Sequence, residues 1–450
     1  MRVMSDISSL GGVREKELYE ALIGRFGRNC VYHSPKIRVH GQEKELGDVV
    51  VLALPYMIVF QSKWKQMTSD DLNSEKGEVY RNRLIKTLQE ATGQFKELAV
   101  SLRQKMSVEL PQVWLPNSNE MYQFPLDLVT HVVPVVVVDF NDKKYDDPEE
   151  RFGDIPPVVR EVPAQIKSWG VVHSFLLRDF YRILDQLFTV GDLLYWLQER
   201  ERLIVGKKRA IIGYGELTLF AIYLANYPLW QKLFEADCVF ISDSDCFERV
   251  TKDWCKDFAK RQEIFGQRSF LDEIDDTMVR SLSMVEGIDR NEAILSYLSC
   301  QGRLLCCTAK SKRMMSQKLN SHFHSFRKNG KAFCGSFAIS SEPMPLMETA
   351  FYLGVAPYDS EEDALEYCTR AYGRMLAVLR DHGLDKMVDE VLVLFVQSET
   401  HQVFCLLRKV GSMDYSMAPD EEIVSQEMYS QARQKMNLSE WDVVHGQRDV

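Results

Sequence analysis

The sequence predicts an α/β protein in three parts: an N-terminal α/β domain over residues 1–140, a mostly helical region over 141–330, and an α+β region over 331–450. Three observations predict it. The first 140 residues carry helix and strand patterns in the order helix, strand, strand, strand, helix, strand. Residues 141–160 (NDKKYDDPEERFGDIPPVVR) are charged and proline-rich, which marks a boundary. A chain of 450 residues is also too long for one core and ordinarily folds as roughly two to four domains.

Val13 to Phe26 reads as an amphipathic helix. Leu18, Leu22 and Phe26 recur on one face, and Gly27 supplies a stop signal. Cys30 to Val39 is extended, with Pro35 suggesting an edge. Leu46 to Leu54 is a β-branched run of buried-strand character. Pro55-Tyr56 breaks it, and Met57 to Lys63 continues as a second strand, so the short break implies a hairpin. Lys76 to Lys105 has a helical apolar face in Leu84, Leu88, Phe95, Leu98 and Leu102. Residues 110–130 read as loop, and His131 to Phe140 (HVVPVVVVDF) as a strand.

Beyond the boundary, Phe175 to Arg202 reads as two helices meeting near Thr189, which can cap the second. Glu216 to Ala225 reads as a short helix and Cys238 to Ser242 as a short strand. Residues 250–330 are mostly helical and polar. Leu346 to Leu353 and Glu361 to His382 read as helices, and Val391 to Val396 with Gln402 to Leu407 as a hairpin.

Composition narrows the class. Apolar content of 45% and charged content of 27% are those of an ordinary globular chain, not a disordered or fibrous one. Apolar runs such as the one within Val132 to Phe140 are strand length, far short of the roughly 20 residues that span a bilayer. The first residues (MRVMSDISSLGG) carry an Asp and no apolar core, unlike a signal peptide. A cytosolic location and no membrane partner are therefore expected. The 10 cysteines form no CxxC pair and read as reduced thiols.

Net charge is −10, which argues against electrostatic coating of a nucleic acid by the whole chain. The charge is unevenly spread. Residues 1–140 hold 17 Lys or Arg against 17 Asp or Glu, so the surplus negative charge follows them. That acidic remainder is expected to regulate, oligomerise or bind a partner protein.

The stretch that carries chemistry is Glu45 to Lys65, ELGDVVVLALPYMIVFQSKWK. Side chains alternate faces along a strand, so Asp48 shares a face with Val50 and Leu52, and Gln61 with Val59 and Lys63. Paired as a hairpin, Asp48, Gln61 and Lys63 converge at one end of the sheet. Burying an acid, an amide and an amine in an otherwise apolar strand is costly without a use. Carboxylate and amide oxygens suit Mg²⁺, and a lysine beside it can orient a water or stabilise a phosphate. The alternative is a hairpin with polar edges.

Residues and element order together resemble the PD-(D/E)xK nuclease superfamily with its αβββαβ core, and within it the Mrr-type restriction endonucleases and nuclease-related domains. In that pattern a helix-borne Glu precedes an Asp after Gly, then (Glu/Asp/Gln)-x-Lys. Here Glu17, with Glu20 as alternate, would be the helix acid. Gly47-Asp48 and Gln61-Ser62-Lys63 supply the rest. The resemblance implies a restriction-endonuclease-like N-terminal domain and a Mg²⁺- or Mn²⁺-dependent endonuclease, acting on DNA and of the restriction or anti-phage defence kind. Asp48, Gln61 and Glu17 would bind metal, and Lys63 would handle the nucleophilic water. Gln61 stands where the commonest form has a carboxylate, and an amide holds a cation less firmly. The other implied reading is a catalytically inactive nuclease fold that binds nucleic acid or serves as a scaffold or regulatory subunit.

Arg81, Arg83 and Lys86 near the start of the second helix, and Lys65 after the motif, are candidate phosphate contacts; a solvated charged face is the alternative. Gln94 could support the site and Trp64 could stack on a base. His322-Phe323-His324 has ligand residue types but no third ligand nearby.

Overall fold

A computed structural model describes residues 10–39, 42–65, 78–103, 108–110, 122–124, 128–140, 168–205, 211–213, 216–225, 230, 233, 239–241, 263–266, 269, 271–272, 290–329, 334–339, 349–381 and 388–410. The chain divides into two compact units, Met1–Gln267 and Arg268–Val450.

The first unit opens with helix α1 (Leu10–Phe26), whose Leu18 and Leu22 are fully buried. Gly27 ends it at φ +89°, and its N–H donates to Ile23 O at 2.8 Å. That left-handed closure is what the glycine permits. Strand β1 (Val31–His33) follows, then β2 (Lys36–Val39) and β3 (Gln42–Glu45), a small hairpin. Strands β4 (Val49–Ala53) and β5 (Tyr56–Lys65) form the expected antiparallel hairpin, with Val49 opposite Phe60. Helix α2 spans Glu78–Arg103 and buries Leu88, Ala91, Phe95 and Leu98. Strands β6 (Val108–Leu110) and β7 (Tyr122–Phe124) extend β3-β2 into a four-stranded sheet. Residues 110–130 are thus not all loop.

Strand β8 (His131–Phe140) lies parallel to β5 and is almost wholly buried, as its unbroken apolar run requires. Strands β9 (Ser168–Trp169) and β10 (His173–Leu176) both pair in parallel with β8. The principal sheet therefore runs β1-β4-β5-β8-β10, with β9 also on β8.

Helices α3 (Leu177–Leu184) and α4 (Val190–Val205) follow, and Phe180 meets both Phe60 and Phe175. Thr189 caps α4 as expected. Its Oγ1 accepts from Asp192 N–H at 3.0 Å, while Asp192 Oδ2 accepts from the N–H of Thr189 at 3.1 Å. Strand β11 (Ile211–Gly213), helix α5 (Glu216–Ala225) and strand β12 (Val239–Ile241) complete the unit, β11 and β12 pairing in parallel.

The second unit contains helices α6 (Arg290–Leu305) and α7 (Ala309–Asn329), then strands β13 (Cys334–Ile339) and β14 (Thr349–Ala356). Helix α8 (Glu361–Asp381) and strands β15 (Glu390–Gln397) and β16 (Val403–Lys409) follow. The sheet order is β13-β14-β15-β16, with the central pair parallel and the outer pairs antiparallel. Cys368, Ala371, Met375 and Leu379 of α8 pack with Tyr352, Val393 and Phe395. The Phe395 ring lies where a Cβ at position 354 would stand, so Gly354 is the residue the packing accepts.

Three expectations change. The boundary expected at 141–160 gives way to one after Gln267, because the chain returns at β10 to pair with β8. Composition marked the polar linker but not the return. The region 141–330 is accordingly not one helical domain: its first part completes the first sheet, and α6 and α7 belong with the C-terminal strands. Of the helix expected over Leu346–Leu353, residues 349–353 are strand and 346–348 lie outside the described residues. Residues 349–356 are a strand paired on both sides and buried throughout, so no alternating pattern betrays it. Among the described residues no helix is long and apolar enough to cross a membrane.

Candidate active site

The β4–β5 hairpin sets the geometry. Val50 stands opposite Val59, so the next residues outward on that face are Asp48 and Gln61. Asp48 N–H donates to Phe60 O at 3.0 Å, which continues the ladder one step past the strand. Gly47 makes this approach sterically feasible. A Cβ there would lie 2.5 Å from Val59 Cγ1 and 3.2 Å from Phe60 O. The glycine before the aspartate is therefore a packing requirement of the hairpin.

Asp48 and Gln61 are buried and Lys63 is half-buried. Asp48 Oδ2 accepts from Ser62 N–H at 2.6 Å. Lys63 Nζ donates to Gln61 Oε1 at 3.2 Å. Burial pushes the Asp48 carboxyl up; the Lys63 charge and the Ser62 N–H oppose that, and the Glu45 charge adds to it. The three residues expected to converge thus do so.

The helix acid whose carboxyl feels the Asp48 charge is Glu15. Burial first, then the charges of Asp48 and Glu45, push the Glu15 carboxyl up to about 7, against the pull of Lys63. Glu17 instead accepts from Arg14 NH1 at 2.6 Å with 43% of its side chain exposed. Arg14 Nε also meets Asp139 Oδ2 at 2.8 Å. Glu20 is exposed and 3.7 Å from Lys16 Nζ. Helical phase explains the difference. Glu15 stands three and seven residues before the buried Leu18 and Leu22, on their face, whereas Glu17 is one step round. That spacing was present in the sequence as a signal. Glu45 is the other acid that sequence reasoning missed; it is exposed and held by Lys36 Nζ at 2.6 Å.

Lys86 and Gln94 lie exposed on α2 and Trp64 is half-buried on β5. The side chains of Arg81, Arg83 and Lys65 lie outside the described residues.

The site therefore gathers two carboxylates raised first by burial and then by neighbouring acids, a third acid at its edge, one amide oxygen and one ammonium. Among the described residues, no three of His, Cys, Asp or Glu stand close enough to form a metal centre by themselves. The oxygen donors of Glu15, Asp48 and Gln61 nevertheless suit a hard divalent cation, which would relieve the repulsion between the two carboxylates. Mg²⁺ keeps several waters and needs few protein ligands. No family model, curated protein or solved structure matches the chain.

Proposed function

We propose that the protein is a divalent-cation-dependent nuclease of the PD-(D/E)xK kind, with a restriction-endonuclease-like core formed by α1, β1, β4, β5, α2 and β8. The observation that carries the reading is the excess of acid at the hairpin end. Asp48, Glu15 and Glu45 repel one another there, with Lys63 as the cation acting on both Asp48 and Glu15. A group held against its own electrostatics marks a functional site more often than a structural one. Element order supports the family reading, as does the spacing of Gly47-Asp48 and Gln61-Ser62-Lys63.

The residues take distinct roles. Ser62 N–H orients the Asp48 carboxylate, and with Gln61 Oε1 and Glu15 that carboxylate would hold Mg²⁺ or Mn²⁺. Such an ion, when bound, supplies positive charge to the phosphodiester under attack. Lys63, placed by Gln61, orients the attacking water or stabilises charge developing on the phosphate.

The test is cleavage of plasmid DNA by the purified chain with Mg²⁺ or Mn²⁺, beside Lys63→Ala and Asp48→Ala variants. Loss of about 10²-fold or more is expected for each variant. Equal cleavage by parent and variants would sink the assignment. An RNA substrate in parallel distinguishes the two polymers. The second reading, an inactive nuclease fold that binds nucleic acid, draws on one observation: Gln61 is neutral and its oxygen is engaged by Lys63. Binding without cleavage in the same assay selects it.

A further inference from the structure

Helix α7 stands apart electrostatically. The chain is acidic as a whole, yet these 21 residues hold Lys310, Lys312, Arg313, Lys318, Arg327 and Lys328 and no Asp or Glu. Burial sorts them by face. Met315, Ser316, Leu319 and Phe323 are buried, and so is Lys312, which meets Asp272 Oδ1 at 3.2 Å. The exposed residues are Lys310, Arg313, Gln317, Lys318, Asn320, Ser321, His324, Arg327 and Lys328. They recur at three- and four-residue spacing and so form one stripe. From Lys310 to Lys328 it is about 27 Å long at a rise of about 1.5 Å per residue.

We propose that the exposed face of α7 binds the phosphate backbone of a nucleic acid. The inference rests on the nuclease reading only for the choice of nucleic acid among polyanions. Three features argue for that choice. Cations stand at both ends of the stripe and at Lys318 between them, and a duplex carries about one charge per 1.7 Å of axis. Between the cations stand Gln317, Asn320 and Ser321, short polar donors of the type that contact phosphate oxygens. None of the exposed residues is apolar, whereas a helix that binds a membrane surface buries an apolar face in the lipid. The apolar face of α7 is already used: the helix packs on β13 and β14. The acidic balance of the C-terminal region hides this helix, so net charge alone misjudges the region.

The test is binding of the full chain to a fluorescently labelled DNA duplex, and to the same sequence as RNA, in EDTA so that nothing is cleaved. A variant with Lys310→Gln, Lys318→Gln, Arg327→Gln and Lys328→Gln is compared with the parent. The slope of log K against log salt should fall by about 0.9 for each phosphate contact removed, and affinity at low salt by roughly 10-fold or more. Glutamine keeps helix propensity, and a matched circular dichroism melt shows that the variant folds. A second variant, Lys310→Glu with Lys328→Glu, should weaken binding further. Unchanged affinity and salt slope in both folded variants overturns the proposal. So does a parent that binds anionic phospholipid vesicles or an acidic polypeptide but no nucleic acid. Lys63→Ala separates the two readings. Equal cleavage by parent and Lys63→Ala, or none by the parent with metal, while α7-dependent binding is intact sinks the nuclease alone; cleavage that depends on Lys63, with binding indifferent to α7, sinks this inference alone.

Discussion

Two buried polar groups in the first unit share a sheet and differ in how their charges are met. At β10, His173 is fully buried and Arg200 nearly so. Arg200 Nε and NH2 donate to the two carboxylate oxygens of Glu216 at 2.6 and 3.0 Å. Its NH1 donates to His173 Nδ1 at 3.2 Å, and its guanidinium lies 4.8 Å from the Phe175 ring centre. Arginine only donates, so His173 Nδ1 must accept and the ring is neutral. Burial and the Arg200 charge accordingly hold its pKa well down. Nearby, Glu199 accepts from Trp230 Nε1 at 2.8 Å and from Arg202 NH1 at 3.0 Å. Here charge is met by opposite charge, bidentately. At the Asp48 end of the hairpin, burial raises the carboxyls first, neighbouring acids add to it, and Lys63 offsets part of it. The first arrangement joins β10, α4 and α5; the second leaves carboxyls raised by burial and offset only in part by Lys63.

The sharpest break of that comparison is a pair of substitutions. Arg200→Ala leaves Glu216 buried without its partner and should cost about 3–5 kcal/mol, read as a large fall in Tm. Asp48→Asn removes a charge that its surroundings oppose, so Tm should stay level or rise while cleavage is lost. If Arg200→Ala is silent, or Asp48→Asn unfolds the chain, the distinction fails.

Gly47→Ala comes next. The added methyl cannot occupy its place without moving Val59 or the Phe60 carbonyl. A stability loss of about 1–3 kcal/mol is expected, with a larger loss of cleavage because Asp48 moves too. Full activity in this variant would show that the hairpin tolerates a looser approach than the structure shows.

The smallest effect concerns Glu15. Its carboxyl titrates at about 7 when folded against 4.5 ordinarily. Between those values the folded state holds a proton that the unfolded chain has released, so stability falls as pH rises through the window. Glu15→Gln should flatten that fall in Tm measured from about pH 5 to about pH 8. Asp48 shifts in the same direction, so part of the slope will remain. Added Mg²⁺ should flatten the parent's slope as well. An identical slope in parent and variant would remove Glu15 from the site.

Local pattern determined much of this molecule. The periodicity of α1 and α2, the β4–β5 hairpin, strand β8 and the Thr189 cap are all legible in short windows of sequence, because each depends on neighbours within a few residues. The alternation that places Asp48 beside Gln61 and Lys63 is legible for the same reason. Tertiary structure decided the rest. The phase of α1 against its sheet turned Glu15 toward the Asp48 charge and left Glu17 to Arg14. Pairing across more than thirty residues brought β10 to β8, and burial on two faces made a strand of residues 349–356. Arg200 met Glu216 and His173 only because three separate elements pack together. In each case the deciding partner lies far along the chain, and no window of sequence reports the charge or shape of a distant neighbour.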